Sequence, residues 1–221
     1  ECVQGAKKRG LLWEISPAKL EAILDAKECY LCTRGIQGMP SFDRVDPLSH
    51  YHDENVKTTC MDCNYAKGGL TEEQFRGACR RSALFMTQGV RSTTFQPYRQ
   101  IVRKPADSEE FRTTASTWGA STSYCLNGKQ WRMREVLHEN AAKFASYKYD
   151  AVNKRNLVFE ITKEAYDQIA STPCFYCGVW RKGSIGMDRK DSRVGYLPDN
   201  VVPCCPTCNF MKRSLTVDQF R

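Results

Sequence analysis

Apolar positions along this chain fall in short blocks that come round twice. Residues 9–15 and 155–161 each predict a brief extended lead into a helix. Ser16 and Thr162 come next as natural N-caps, and Pro17 suits a first helical position. Leu20, Ile23 and Leu24 then recur at helical spacing, as do Tyr166, Ile169 and Ala170. Each helix should end just before a cysteine, Cys29 or Cys174, with its apolar face packed on the module that this cysteine opens. The stretch past Gly38 or Gly183, up to Asn55 or Asn200, predicts a β-hairpin with a long turn. A short helix carrying Asn64 and Lys67, or Asn209 and Lys212, comes next. Thr71-Glu72-Glu73-Gln74 is a capping box that should start a helix through about Phe85, and Thr216-x-x-Gln219 repeats the box.

The cysteines explain why so short a pattern folds. Cys29-x2-Cys32-x27-Cys60-x2-Cys63 recurs as Cys174-x2-Cys177-x27-Cys205-x2-Cys208. Zinc takes four thiolates at tetrahedral corners, and each C-x2-C pair supplies two adjacent corners. Two structural Zn2+ ions are therefore expected. The copies agree well beyond the cysteines. Arg9-x-Leu11-x-x-Glu14-Ile15 matches Arg155-x-Leu157-x-x-Glu160-Ile161, Asp43-Arg44-x-Asp46 matches Asp188-Arg189-x-Asp191, and Leu70-Thr71 matches Leu215-Thr216. Domains of about 70–75 residues bury a modest core, so a metal staple is the natural reinforcement. Cys2, Cys79, Cys125 and Cys204 lie outside the frame and read as small buried or idle side chains.

Charge is uneven. Residues 76–155 contain fifteen Lys/Arg and six Asp/Glu, a net of +9 in a chain whose total is +8. That segment suits phosphate backbones and is the expected contact for nucleic acid, DNA or RNA; a solvated helix face is the plainer reading. Residues 87–127 are rich in Ser, Thr and Gly and predict an extended basic arm. In it Arg91, Arg99, Arg103, Lys104 and Arg112 interleave with Phe95, Tyr98 and Phe111. The arm could equally lie along a partner protein. Met133, Leu137, Ala141 and Phe144 sit on one stripe and predict a connecting helix over 128–153.

The expected organisation is thus a first zinc module with its following helix (1–86), the arm (87–127), the helix (128–153) and a second zinc module (154–221). The second copy stops at Phe220-Arg221, where the first continues into a helix, and there is no initiator Met. A fragment or processed form is expected, its second module cut at the C-terminal helix. No apolar run is long enough to span a membrane, and the first residues do not read as a signal peptide. Paired C-x2-C knuckles favour a reducing intracellular compartment or a virion over secretion.

At Asp188-Arg189, Asn200, Cys205-x2-Cys208-Asn209 and Lys212 the chain resembles the HNH (His-Me finger) endonuclease family, in the zinc-stapled form of phages and large viruses, the endonuclease VII type. The resemblance covers two thirds of the chain. It is stronger in the second copy, because the first has His50 where the second has Gly195. It implies an α+β class with two small ββα zinc modules of HNH or treble-clef kind. It also implies a catalytic Mg2+ or Mn2+ against the scissile phosphate. By position its ligands would be Asp188 and Asn209, and Asp43 and Asn64, with Asn200 and Asn55 orienting a general base. The family's base is a histidine, yet Arg189 and Arg44 stand there. Arginine stays protonated and cannot accept a proton from water, although it could clamp a phosphate. Losing a general base commonly costs about a hundred- to ten-thousand-fold in rate. Asp191 and Asp46 are the nearest substitutes, and an ion pair bracing the hairpin is the competing account of Asp-Arg-x-Asp.

Three functions fit these residues. The first is a catalytically degenerate nucleic-acid-binding or scaffold component of a larger nucleoprotein or viral assembly. The second is an active metal-dependent endonuclease. The third is a purely structural zinc protein that binds other proteins.

Overall fold

The computed structural model describes residues 2–91, 95–108, 122–126, 128–138 and 141–220. Both cysteine-cluster modules are built to one plan of mixed helix and strand. In the first, α1 (Cys2–Lys8) leads through Gly10 to β1 (Trp13–Glu14) and α2 (Pro17–Asp25). Ser16 caps α2 by accepting from the Lys19 amide at 3.2 Å, and Pro17 follows it, as expected. The hairpin β2 (Ser41–Arg44) and β4 (Val56–Thr59) is antiparallel with Ser41 opposite Thr59. Within its long turn β3 (Tyr51–His52) pairs in parallel with β1. Then come α3 (Met61–Lys67) and α4 (Glu72–Gln88).

The second module repeats each step. A helix α5 (Phe144–Tyr149) runs on through a π-turn over Asp150–Lys154. Phe159 bridges Tyr196 in parallel. Next is α6 (Lys163–Ala170), capped by Thr162 accepting from the Ala165 amide at 3.1 Å. The hairpin β8 (Gly186–Arg189) and β9 (Val201–Cys204) leads into α7 (Pro206–Lys212) and α8 (Val217–Phe220). The Thr216 amide donates to Gln219 Oε1 and the Gln219 amide to Thr216 Oγ1, the reciprocal capping box.

The duplication reaches further upstream than the aligned sequences. Gly10 (φ 67°) and Asn156 (φ 50°) make the same left-handed step out of a helix. The Leu11 amide donates to Ala6 O at 3.0 Å and the Leu157 amide to Ala151 O at 2.8 Å. The second path is one residue longer, and the π-turn absorbs the extra residue.

Two compact units partition the middle of the chain. Unit one is Glu1–Glu72 with Arg99–Leu137, and unit two is Glu73–Tyr98 with His138–Arg221. The expected boundaries are therefore revised: from Glu73 onward α4 belongs with the second module, and the following strands with the first. The helix expected over 128–153 is also corrected. Its first part is β7 (Lys129–His138), in a three-stranded sheet ordered β5 (Tyr98–Pro105), β7, β6 (Thr122–Leu126). Leu126 pairs directly with Lys129, and Gly128 lies at φ 73°. Asn127-Gly128 is a hairpin signal, and Trp131 and Met133 alternate with Arg132 and Arg134 at strand period. Strands β5 and β6 replace part of the expected arm. Its Phe111 and Arg112, and Arg221 at the chain end, lie outside the described residues.

Each unit has its own core. Ala6, Leu11, Ile23, Phe42, Tyr51 and Val56 cluster in the first module. Tyr124 ties the sheet to that module by donating to Gly10 O at 2.9 Å. In the second unit Met86 of α4, and Phe95 beyond it, pack on the core cluster that includes Cys177, Val179 and Cys205.

The difference between His50 and Gly195 has a steric origin. A Cβ on Gly195 would sit 2.3 Å from Val158 O, a backbone atom that cannot swing away. In the first copy the lead strand is further off, the Tyr51 amide reaching Leu12 O at 3.2 Å against 2.8 Å for Tyr196 to Val158 O. That room admits His50, whose Nδ1 accepts from the Leu12 amide at 3.1 Å. Gly195→Ala is expected to lower the stability of the zinc-loaded second unit by about 1–3 kcal/mol in urea unfolding, the usual cost of overpacking.

Candidate metal centres

Each metal centre is assembled from two local turns. Cys29 O accepts from the Thr33 amide at 2.8 Å and Cys174 O from the Gly178 amide at 2.8 Å, closing each knuckle on a left-handed residue (φ 58° and 68°). The second pair opens a helix. Cys60 and Cys205 are N-caps with extended backbone, and Cys60 Sγ accepts from the Cys63 amide at 3.4 Å. The knuckle and the helix start then face each other across the hairpin base.

The outcome is two four-sulfur clusters, Cys29/Cys32/Cys60/Cys63 and Cys174/Cys177/Cys205/Cys208, with all ligand atoms of each within 4.8 Å. Cys32 and Cys60 sulfurs are 4.0 Å apart, and Cys177 and Cys205 sulfurs 3.8 Å. A tetrahedron with zinc–sulfur bonds of about 2.3 Å has edges of about 3.8 Å. Disulfides need about 2.05 Å, and all twelve cysteines are free thiols. Donor chemistry, number and spacing fit two structural zinc ions. Burial pushes the Cys63 thiol up, and its crowding by the other sulfurs adds to that. A dication is what displaces protons from such thiols. Burial also opposes the Cys32 thiolate, but hydrogen bonds from Arg34 outweigh it and bring its pKa down to about 7. Of the other cysteines, Cys204 is buried and donates to Cys205 O at 3.3 Å, and Cys2 and Cys125 are exposed. Cys79 is pushed up to about 11 by burial.

Beside each centre lies a second repeated cluster. Asp43 is buried and pairs with the fully buried Lys67 at 3.1 Å, and Asp188 pairs with the fully buried Lys212 at 3.1 Å. Each lysine also donates to the next carbonyl, Arg44 O at 2.9 Å or Arg189 O at 2.8 Å. Tyr30 donates to Asp43 at 2.5 Å and Tyr176 to Asp188 at 2.7 Å. Burial pushes both carboxyls up while their lysines pull them down.

The arginines brace the long turns. Arg44 donates to Pro47 O and Ser49 O at 2.9 and 2.7 Å, and Arg189 to Ser192 O and Val194 O at 2.7 and 2.9 Å. Each guanidinium sits 5.2 Å from a tyrosine ring, Tyr51 or Tyr196. Asn55 and Asn200 close the same turns. Asn55 donates to Asp46 O and His50 O, and Asn200 to Asp191 O and Gly195 O. The carboxylates of Asp46 and Asp191 accept from the Leu48 and Arg193 amides. Asn64 donates to Ser41 Oγ at 2.5 Å and to Phe42 O. Asn209 lines a cleft of about 590 Å³ together with Asp188, Arg155, Arg189, Arg213 and Ser192.

In the first unit the turn that Arg44 braces is also gripped from the sheet. Arg103 donates to Pro47 O at 2.8 Å and Leu48 O at 3.1 Å, its pKa brought down to about 10 by burial and by neighbouring Arg44. The ion pair that sequence reasoning assigned to the arginines belongs to the lysines. The two lysines stand out in the repeat. The tyrosines do not, because Tyr30 and Tyr176 occupy positions one residue out of register.

No family model matches this chain, and no solved structure matches it. The uncharacterized protein R423 of Acanthamoeba polyphaga mimivirus is 39% identical over 79 residues, 35% of this chain. The match spans 15% of that protein's length.

Cys208→Ser is expected to unfold the second unit and halve bound zinc by elemental analysis, since structural zinc contributes about 10–16 kcal/mol in small zinc peptides. Lys212→Met leaves a buried carboxylate without its partner and should destabilise by about 3–5 kcal/mol, with Asp188→Asn in the same chain recovering part of the loss.

Proposed function

We propose that this chain is a zinc-built nucleic-acid-binding component of a larger nucleoprotein or viral assembly, whose two HNH-like modules no longer cut. The observation that carries this reading is the buried Asp–Lys–Tyr cluster present in both copies. Mg2+ and Mn2+ require carboxylate oxygens free to enter their coordination shell. Asp43 and Asp188 are buried and already hold an ammonium and a phenol. The positions that would carry the general base hold Arg44 and Arg189, and both guanidiniums are committed to turn carbonyls. The HNH-like plan is then a brace for a zinc fold, with its catalytic positions reused as supports.

Binding is supported by charge. Residues 76–155 carry the net excess, and the cleft of the second unit gathers Arg155, Arg189 and Arg213 at its walls. Lysine and arginine at such a surface exchange condensed counterions for phosphate contacts, so affinity falls steeply with salt. The similarity to a mimivirus protein supports a viral setting.

A plasmid-nicking assay with Mg2+ or Mn2+ should show no cleavage above that of the Asp43→Ala plus Asp188→Ala variant. Nicking that vanishes in that variant would establish the chain as an endonuclease. Binding to random-sequence DNA or RNA should weaken by at least about ten-fold between roughly 50 and 200 mM salt. A flat response would remove the phosphate contacts from the account.

A further inference from the structure

The two metal centres share a ligand set but not a surface. Around the first, exposed carboxylates adjoin the ligands: Glu28 precedes Cys29 and Asp62 precedes Cys63. The second module has Pro173 and Thr207 at those positions. The segments that carry the second knuckle and the α4 side packed on it, 173–187 and 74–91, contain no Asp or Glu, although Asp218 sits between Val217 and Phe220, which pack on the same core. They do carry exposed Arg76, Arg80, Arg91, Arg181 and Lys182. Compensation of the tetrathiolate's negative charge does not account for this, because the first centre has the same sulfurs and keeps its acids. Arg34, on the first knuckle, is turned to Cys32.

Aromatic surface is found in the same place. Trp180 is 50% exposed and Phe175 37% exposed, both on the second knuckle. The first knuckle has Gly35-Ile36-Gln37 where the second has Trp180-Arg181-Lys182, and its Tyr30 is bound to Asp43. The knuckle is packed from behind by α4. Phe85 of α4 sits where a Cβ on Gly178 would lie 2.6 Å from its ring, and Thr207 Oγ1 donates to Gln96 O. Arg181 lies 5.1 Å over the Phe95 ring, which fixes a cation at the knuckle's edge. A half-exposed indole beside exposed Arg181 and Lys182 matches a base with its phosphate. An acidic peptide would satisfy the cations but leave the flat rings without a flat partner.

We propose that the knuckle face of the second metal centre is a stacking platform for single-stranded nucleic acid. Trp180 and Phe175 take unpaired bases, and Arg91, Arg181 and Lys182 take the flanking phosphates. The inference rests on the nucleic-acid reading above and narrows it to one face and one strand state. A duplex hides its base faces and reaches only the cations.

The test uses the full zinc-loaded chain and fluorescence anisotropy with oligothymidylate, oligouridylate and a mixed-sequence duplex. Wild type should bind one or both single strands more tightly than the duplex, and the two strands separate DNA from RNA preference. Trp180→Ala with Phe175→Ala should weaken single-strand binding by at least about five-fold per ring removed, leaving duplex binding and a zinc content of two ions per chain unchanged. Arg181→Gln with Lys182→Gln should reduce the salt slope by about 1.4, as two lost phosphate contacts require. If the double aromatic variant loses zinc, Trp180→Gln alone reads the same effect on a half-exposed side chain. Single-strand binding unchanged in the aromatic variants would overturn the platform and leave nucleic-acid binding standing. No binding of any nucleic acid by wild type, with capture of polyglutamate instead, would overturn both.

Discussion

Four sulfurs brought within 4.8 Å of one another govern how each module folds. Two come from a knuckle closed by a left-handed residue, and two from the first turn of a short helix. Neither turn is stable alone, and the hairpin strands are only four residues long. A tetrahedral cation, which these sulfurs fit, would convert such weak local preferences into one fixed arrangement, because it binds only when all four thiolates are presented together. The apolar cores are correspondingly small. The lead strand, the preceding helix and the long turn pack against the arrangement of the four sulfurs.

A second layer of order comes from the buried Asp–Lys pairs. Placing two charges out of water is unfavourable unless each finds its partner and further hydrogen bonds. Here the lysine reaches a carboxylate and the adjacent carbonyl, and a tyrosine from the knuckle completes the carboxylate. The pair therefore links helix, hairpin and knuckle in each module. With arginine and asparagine closing the turn beyond it, the residues that resemble a catalytic set form a continuous structural network. The copies have diverged outside that network. In the first unit Arg103 of the added sheet grips the long turn, and in the second the face stays open as a cleft.

Much of this was legible in the sequence. The doubled cysteine frame located both four-sulfur clusters, and Ser16, Thr162 and Thr216 marked helix starts that the structure keeps. The misreadings have physical causes. Residues 129–138 offered Met133 and Leu137 at helical spacing, but Asn127-Gly128 and the Trp131/Met133 alternation already favoured a hairpin. Arginine flanked by carboxylates suggested an ion pair, yet a guanidinium also satisfies carbonyls, and only the fold shows which are near. The Tyr30 and Tyr176 hydroxyls converge on equivalent carboxylates from positions out of register, which no alignment of the copies reveals. Assignment of α4 to the second module depends on long-range packing that local periodicity does not encode.

X-ray absorption at the zinc edge of the purified chain bears most directly on this account. Two zinc ions per chain, each with four sulfur neighbours at about 2.3 Å and no nitrogen or oxygen shell, are expected. A mixed sulfur and oxygen or nitrogen shell, or sulfurs joined in pairs at about 2.05 Å with no metal bound, would contradict it.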